Sequence, residues 1–217
     1  MLKFENVEVV GMEAAIRGMR NPMNSWDKSD SETNCYHDLM VDKYDLVTDV
    51  GPNDLATMKK LSAGGPVHGK FKRMIAVYVD VTAPLYWWKE FDTYKIGTVA
   101  NSCSTMHKIH DKRFYLKDFS AEHLDVDNEQ FMLDMIVMLN RAREQFIATG
   151  YKRYWWQMIQ LLPSSYNQRR TVMLNYEVLT SIYRDRRNHK LDEWHVFCSM
   201  IDILPCNELI TAKPTYV

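Results

Sequence analysis

The sequence predicts an α/β (α+β) fold in a single domain spanning residues 1–217, with a mixed or antiparallel sheet and a helical C-terminal half. The clearest strand, at residues 74–82, is dense in β-branched side chains. From residue 121 onward, apolar residues recur at the i, i+3, i+4 spacing of amphipathic helices. The chain has no internal repeat and no low-complexity linker. Strands and loops therefore come first and helices last, as in an α+β domain.

The first half of the chain alternates short elements with turns. Residues 6–10 alternate enough in polarity to predict a strand, and residues 12–20 predict a short helix that ends near Pro22. Residues 24–35 are polar and aperiodic, which predicts a loop. The remaining elements predicted before the central strand are a short strand at 45–50 and a helix through 55–61 that Gly51 and Pro52 begin.

Aromatic and apolar periodicity predicts five helices after the central strand. Pro84 begins an aromatic helix, because proline is well tolerated in the first turn. The longest helix covers residues 128–148 and ends at Gly150, a residue favoured just beyond a helix C-terminus. The other three helices are predicted at residues 151–162, 168–183 and 192–204.

Composition and charge narrow the class of protein. The net charge is −1, which gives no indication of a nucleic-acid or membrane partner. No apolar run reaches the ~18 residues of a transmembrane helix, and the N-terminus lacks the apolar core of a signal peptide. The 4 cysteines form no C-x-x-C pair and no zinc spacing, which favours free thiols. We therefore expect a cytoplasmic protein without a resident metal.

The stretch from residue 92 to residue 110 is rich in candidate ligand groups. Short hydroxyl and amide side chains lie there beside Lys95, and such residues bind anions through side-chain and backbone donors. Two other hypotheses stay open. Cys103 and His107 on one helix face would suit a nucleophile and its base. With His110 they would supply three metal ligands without a fourth. A small buried thiol is the favoured interpretation of Cys103.

Several motifs along the chain keep the order and spacing found in one enzyme family. The matching positions are His68 before the central strand, Ala83-Pro84 after it, and then Leu162-Pro163, Asn175 and Arg186. Over roughly residues 67–196 this pattern resembles the flavin-dependent thymidylate synthases, which methylate dUMP with FAD and a folate. The resemblance implies an enzyme of nucleotide metabolism and a homotetramer with sites shared between subunits. The 6 Trp, 12 Tyr and 14 Met also favour a subunit interface or extensive packing.

The resemblance also implies which residues form the site. Those that it assigns to the cofactor FAD are His68, Lys95, Thr98, Asn101 and Asn175. Those that it assigns to a deoxyuridine monophosphate-like substrate are Ser102, Ser104 and Arg186. Folate and NADPH are implied as further partners. No side chain need act as a covalent nucleophile in that family, so no catalytic residue is assigned.

The family's signature, R-H-R-x-x-S-x-N-E-x-S-x-R, is strongly eroded in this chain. In either register that fits residues 93–104, both flanking arginines are missing. Glu177 stands where the later N-x-R motif has its arginine, and a carboxylate repels a pyrophosphate. Lys95 and Arg184 are the residues placed to offset these changes. We therefore expect FAD binding to be weak or lost.

Two alternatives to a flavin-dependent synthase follow from the eroded signature. One is a diverged relative that binds a nucleotide without flavin chemistry. The other is a relative that adds a different one-carbon group to the pyrimidine C5. The sequence leaves this choice open, because the altered positions are the ones that would hold the cofactor, and fold alone does not carry function.

Overall fold

The computed structural model describes residues 2–38, 40 and 42–212. The strands are β1 (Lys3–Val10), β2 (Glu32–Asp38), β3 (Lys43–Asp49), β4 (Ala76–Pro84), β5 (Val99–Ser102) and β6 (Asn167–Asn175). The helices are α1 (Met12–Arg20), α2 (Pro52–Ala63), α3 (Leu85–Phe91), α4 (Val126–Thr149), α5 (Lys152–Leu161), α6 (Tyr176–Arg186), α7 (Asp192–Asp202) and α8 (Glu208–Thr211). Short 3-10 helices cover Asn21–Met23, Trp26–Lys28, Gly69–Met74 and Leu116–Asp118.

The strands form two sheets. Four of them are hydrogen-bonded in the order β1-β4-β6-β5, and β2 pairs with β3 in an antiparallel hairpin that sets Cys35 opposite Leu46. The α/β fold predicted from the sequence is confirmed. Across the described residues, none of the helices is both long enough and apolar enough to cross a bilayer.

Two stretches differ from the predictions. The helix predicted over residues 168–183 is wrong in its first half, which is strand β6. There the buried Val172 and Leu174 are separated by the half-buried Met173. Helix α6 begins only at Tyr176. Residues 32–35, predicted as part of a loop, begin strand β2 because their backbone pairs with β3.

Contacts divide the described residues into two compact units. Unit 1 comprises residues 1–6, 79–95 and 100–172, and unit 2 comprises residues 7–78, 96–99 and 173–217, in each case within the described part of the chain. The organisation as a single domain therefore stays a prediction.

Aromatic packing fixes the beginning of β6 in unit 1. Trp88 on α3 is buried, and its indole N–H donates to the carbonyl of Gln168 at 3.0 Å. The guanidinium of Arg170 lies 4.2 Å from the centre of the Trp88 ring and bonds Asp92 at 2.7 Å. Elsewhere in unit 1, α4 and α5 bury Leu139 and Met158 in one apolar cluster. The extensive packing that the tryptophan content favoured is found at Trp88.

A buried ion pair holds the N-terminal part of unit 2 together. Arg20 at the end of α1 donates through Nε to Asp54 of α2 at 2.7 Å, and both side chains are almost inaccessible. Asp54 also accepts from the hydroxyls of Ser29 and Ser31, each at 2.7 Å. Burial acts to raise the pKa of Asp54, but these hydrogen bonds outweigh it and lower the pKa below its usual value.

We expect Asp54→Asn to lower the free energy of unfolding by about 3–5 kcal/mol, because Arg20 keeps its buried charge without an anion. Denaturant unfolding followed by circular dichroism measures the change. The matched control is Glu13→Gln, which removes the exposed partner of Arg17 and should cost only about 0.3–0.5 kcal/mol.

Since the native pKa of Asp54 is depressed, its stabilisation is present above the unfolded pKa of about 3.9 and is lost as the pH falls through the native value. Equal stability of the two variants would contradict this assignment.

Candidate functional site

In unit 2, the turn at Gly97 lies against the beginning of α6. Gly97 has a φ of 75°, and a Cβ there would come within 2.7 Å of the Asn175 amide nitrogen, so only glycine fits. Asn175 is buried, and its Oδ1 accepts from the backbone N–H of Val178 at 3.0 Å, which caps α6. The structure thus brings Asn175 to the turn that carries Thr98, and both residues were predicted to contact a cofactor.

Thr98 carries an unsatisfied hydroxyl. Its Oγ1 is buried and has no hydrogen-bond partner among the described residues. A buried polar group without a partner costs about 1–3 kcal/mol. Such a group in a native structure needs an explanation, and a bound ligand is one. The Gly97 turn therefore offers a ligand one hydroxyl.

Four of the predicted site residues are exposed. His68 is exposed and precedes the 3-10 helix Gly69–Met74, with its backbone N–H bonded to Gly65. Lys95 is exposed beyond α3, and Asn101 and Ser102 are exposed on β5. These side chains are accessible to solvent, but the structure does not bring them together around one ligand.

A cavity of about 340 Å³ in unit 1, here called the Ser104 pocket, contains one of the predicted substrate residues. Its lining is rich in cations: Lys108, Lys112, Arg113 and Arg169 all border it. The carboxylates Asp111 and Asp118 also line it. The volume lies within the range of about 300–1,000 Å³ that is usual for small-molecule sites.

Most of the cations around the Ser104 pocket are already neutralised. The ion pairs are Lys108 with Asp111 (3.1 Å), Arg113 with Glu144 (3.0 Å) and Arg169 with Asp80 (2.7 Å). Lys112 is exposed and has no ion-pair partner within residues 2–38, 40 and 42–212. Lys112 is therefore the cation of this pocket that is available to an anionic ligand.

Hydroxyl groups complete the Ser104 pocket. The Ser104 Oγ accepts from the backbone N–H of His107 at 2.9 Å, which leaves its own O–H available to donate. Burial raises the pKa of Tyr166, and the charges of Asp118 and Cys103 raise it further, so the phenol keeps its proton at neutral pH. Both the Ser104 hydroxyl and the phenol of Tyr166 are therefore neutral donors.

Two predictions about Cys103 are wrong. Cys103 and His107 do not share a helix face, because residues 103–104 lie outside any helix and residues 105–107 form a turn. Cys103 is exposed rather than buried. Within the described part of the chain, all four cysteines are free thiols, and no cluster of three or more His, Cys, Asp or Glu has the arrangement of a metal site.

Unit 2 contains a second, smaller cavity of about 170 Å³, here called the α6 pocket. Glu177 of α6 lines it and pairs with Lys72 at 3.1 Å. Lys72 is only 4% exposed and also donates to the Thr180 hydroxyl at 3.2 Å. Arg184, the residue expected to offset Glu177, donates to Asp185 at 2.9 Å. Lys72 therefore offsets the Glu177 charge, and nothing in the motifs identified it.

Arg186 occupies a different environment from its neighbours on α6. Its guanidinium lies 4.8 Å from the centre of the buried Trp194 ring, a cation–π contact that orients the side chain. Arg184 and Arg187 line the α6 pocket instead. The motif spacing predicts only Arg186 of this group. It does not identify Arg187, because a basic residue at a helix C-terminus is common without any ligand.

The described residues fit FAD only in part. The Thr98 hydroxyl and the Asn175 side chain suit a ligand with several hydrogen-bonding groups. At the position of the later motif's arginine, however, stands Glu177, and its partner Lys72 is buried. That pair cancels charge but supplies no bidentate donor for a pyrophosphate. At this position the chain therefore offers the diphosphate part of FAD no bidentate donor.

No protein-family profile and no curated protein matches the sequence. The fold does match solved structures. The flavin-dependent thymidylate synthase ThyX from Helicobacter pylori, complexed with FAD and dUMP, is 15% identical at a TM-score of 0.68, covering 95% of this chain and 97% of that one. Another ThyX structure from Helicobacter pylori with FAD and dUMP is 14% identical at a TM-score of 0.69, covering 97% of both chains. The UMP/dUMP methylase PolB from Streptomyces cacaoi, bound with 5-Br dUMP, is 14% identical at a TM-score of 0.60, covering 99% of this chain and 96% of that one.

These likenesses extend over nearly the full length of each protein, whereas the motifs in the sequence covered roughly residues 67–196. At such low identity they concern the fold and not the chemistry. The resemblance predicted from the motifs is confirmed at that level. The chain has the fold of the flavin-dependent thymidylate synthases.

Proposed function

We propose that this protein is an enzyme that binds a pyrimidine nucleoside monophosphate, dUMP or a close analogue, and methylates it. The support is the fold, which matches a thymidylate synthase and a UMP/dUMP methylase along their lengths. The observation that carries the proposal is the Ser104 pocket, which combines a suitable size with an available cation and neutral hydroxyl donors.

The Ser104 pocket suits the phosphate of a mononucleotide. A phosphate dianion needs charge and several donors at short range. Lys112 supplies the charge, and the hydroxyls of Ser104 and Thr105 supply donors beside it. The ion-paired Lys108 adds a second positive charge without being fully available. We therefore assign the phosphate to the Lys112 side of this pocket.

The amides at the beginning of β6 suit the pyrimidine ring. Asn167 and Gln168 line the Ser104 pocket, and the Asn167 Oδ1 accepts from the Ser120 hydroxyl at 3.0 Å, which leaves its NH₂ group to donate. Gln168 is satisfied by Cys103 and Arg170. A uracil carbonyl accepts from an amide NH₂, so Asn167 is the residue that we propose reads the base.

A second candidate function is nucleotide binding without flavin chemistry. The buried Lys72–Glu177 pair favours it, because this pair stands where FAD would need a pyrophosphate donor. Under this alternative the Ser104 pocket keeps its ligand, while the reaction is lost or uses another one-carbon donor. Folate and NADPH remain expectations from the family resemblance under the first candidate only.

We also propose that the protein assembles as a homotetramer. The support in unit 1 is the length of α4, whose surface exposes Phe131 (73%), Val137 (64%) and Ile147 (57%). Large apolar side chains grouped on one exposed helix commonly mark a contact with another protein. Sites shared between subunits would then bring accessible residues such as Lys95 and Asn101 to a ligand held elsewhere.

We expect Lys112→Ala to weaken dUMP binding by about 1.5–3 kcal/mol, the usual range for a hydrogen bond to a charged group. Isothermal titration calorimetry measures the change, and the loss should grow smaller at high salt because the contact is exposed. The matched control is Lys117→Ala, an exposed lysine of the same segment that lies 5.6 Å from the centre of the Tyr115 ring. Equal affinity of the Lys112→Ala and Lys117→Ala variants would remove Lys112 from the site.

Arg186→Ala is expected to weaken the binding of a deoxynucleoside monophosphate by about 1.5–3 kcal/mol if Arg186 contacts the nucleotide. Because the side chain also packs on Trp194, thermal unfolding of the variant must be compared with that of the parent. The control is Arg153→Ala, which removes an exposed arginine stacked on Tyr154. If calorimetry gives equal nucleotide affinity for both variants, Arg186 serves only to cover Trp194.

The affinity for FAD tests the first candidate function against the second. Loss of one good charged contact corresponds to ~2.7 kcal/mol, so we expect FAD to bind at least ~100-fold more weakly than a well-held flavin. Quenching of flavin fluorescence during a titration measures the binding. Glu177→Gln should strengthen it, because the substitution removes the carboxylate and frees Lys72 while keeping the shape of the side chain. Sub-micromolar FAD binding by the parent protein would contradict the second candidate and restore the plain flavin-dependent reaction.

A further inference from the structure

The α6 pocket carries more positive charge than its carboxylates can neutralise. Four cations line it, namely Lys59, Lys72, Arg184 and Arg187. Its two carboxylates are both committed: Glu208 pairs with Lys59 at 3.1 Å, and Glu177 pairs with Lys72 at 3.1 Å. Within the described part of the chain Arg187 has no ion-pair partner. A surplus cation beside a concave surface attracts an anion.

Lys72 is the buried element of this pocket. Its side chain is 5% exposed, and its ammonium group has two partners, Glu177 and the Thr180 hydroxyl. Thr180 in turn donates to the carbonyl of Tyr176 at 2.7 Å, so it accepts from Lys72 rather than donating to it. An ammonium group has three N–H donors. One donor of Lys72 is therefore left for a further acceptor.

A second polar group of the α6 pocket is unsatisfied. The Ser62 Oγ, at the C-terminal end of α2, is buried and has no hydrogen-bond partner among the described residues. In the same pocket, the buried Oε2 of Glu177 makes the ion pair with Lys72 but no hydrogen bond of good geometry. An acceptor placed in this pocket would satisfy Ser62 and the remaining donor of Lys72 together.

The geometry points to a binding site for a single phosphate-sized oxyanion in the α6 pocket, held by Lys72, Ser62 and Arg187. The volume of about 170 Å³ is below the range of about 300–1,000 Å³ typical of larger ligands, so a dinucleotide does not fit in it. Glu177 limits the affinity, because it competes with the anion for Lys72. The phosphate can be free or can belong to a nucleotide. This inference does not rest on the proposed function of the Ser104 pocket.

Binding of inorganic phosphate to the full chain tests this site, with calorimetry as the readout. We expect saturable binding that Arg187→Gln weakens about tenfold or more, since it removes one charged contact. Glu177→Gln should strengthen binding several-fold, because it frees Lys72 while retaining the shape of the side chain. Arg153→Gln, in unit 1 and outside both pockets, should leave the affinity unchanged. Lys72→Met is less informative, because it leaves Glu177 without its cation and can destabilise the fold.

Repeating the phosphate titration in the presence of saturating dUMP distinguishes free phosphate from a nucleotide phosphate. It also keeps this inference distinct from the proposed function. Phosphate that still binds at saturating dUMP, with its Arg187→Gln and Glu177→Gln responses intact, supports a free-phosphate site. Displacement by dUMP with the same two responses supports a nucleotide phosphate in the α6 pocket. Absence of binding at millimolar phosphate overturns the inference, as does binding that responds to Lys112→Ala but not to Arg187→Gln. None of these results depends on whether dUMP is methylated.

Discussion

The hydrogen bond from the Val178 N–H to the Asn175 side chain is the interaction on which the arrangement of unit 2 depends. It ends β6 and begins α6 within a single residue, and the Gly97 turn packs against the same side chain. Because the helix starts there, Glu177, Thr180 and Arg184 fall at three- and four-residue spacing. That spacing puts them on one face of α6, where they line the α6 pocket. The cap therefore sets which residues the pocket can offer to a ligand.

The charges of the two pockets are the basis of the proposal that this fold binds a nucleotide without a flavin. Three cations of the Ser104 pocket are paired with carboxylates, two of which lie outside its lining, and Lys112 is left for an anion. The α6 pocket pairs both of its carboxylates with lysines, so the charge of Glu177 is offset without restoring a bidentate donor. A single phosphate suits both arrangements, and the small α6 pocket has no bidentate donor for a pyrophosphate at Glu177. The eroded signature and the structure thus lead to the same expectation by different routes.

Much of the fold could be predicted from periodicity and capping residues. The long helix α4, the aromatic helix α3 and the central strand β4 have strong local patterns that neighbouring residues reinforce. Strand β6 was missed because its pairing is non-local: the alternation around Val172 becomes clear only with β4 and β5 beside it. The hairpin of β2 and β3 was half missed for the same reason, since its first strand is polar.

The candidate site was predictable only where a motif marked it. Asn175 and Thr98 follow from the order of family motifs, and the structure brings the Thr98 turn to Asn175. No motif contains the basic residues Lys72, Lys112 and Arg187. In the sequence, an isolated basic residue on a surface loop or helix end resembles any solvated charge. Their significance comes from burial or from the lack of a partner, and neither property is visible in the sequence.

A crystal structure of the protein with dUMP bound tests the central claim most directly. The claim is that unit 1 holds a pyrimidine mononucleotide in the Ser104 pocket. The predicted result is a nucleotide phosphate within about 2.7–3.2 Å of the Ser104 hydroxyl or the Lys112 ammonium group, with the base near Asn167. A nucleotide bound elsewhere, with the Ser104 pocket filled only by water, would contradict the claim.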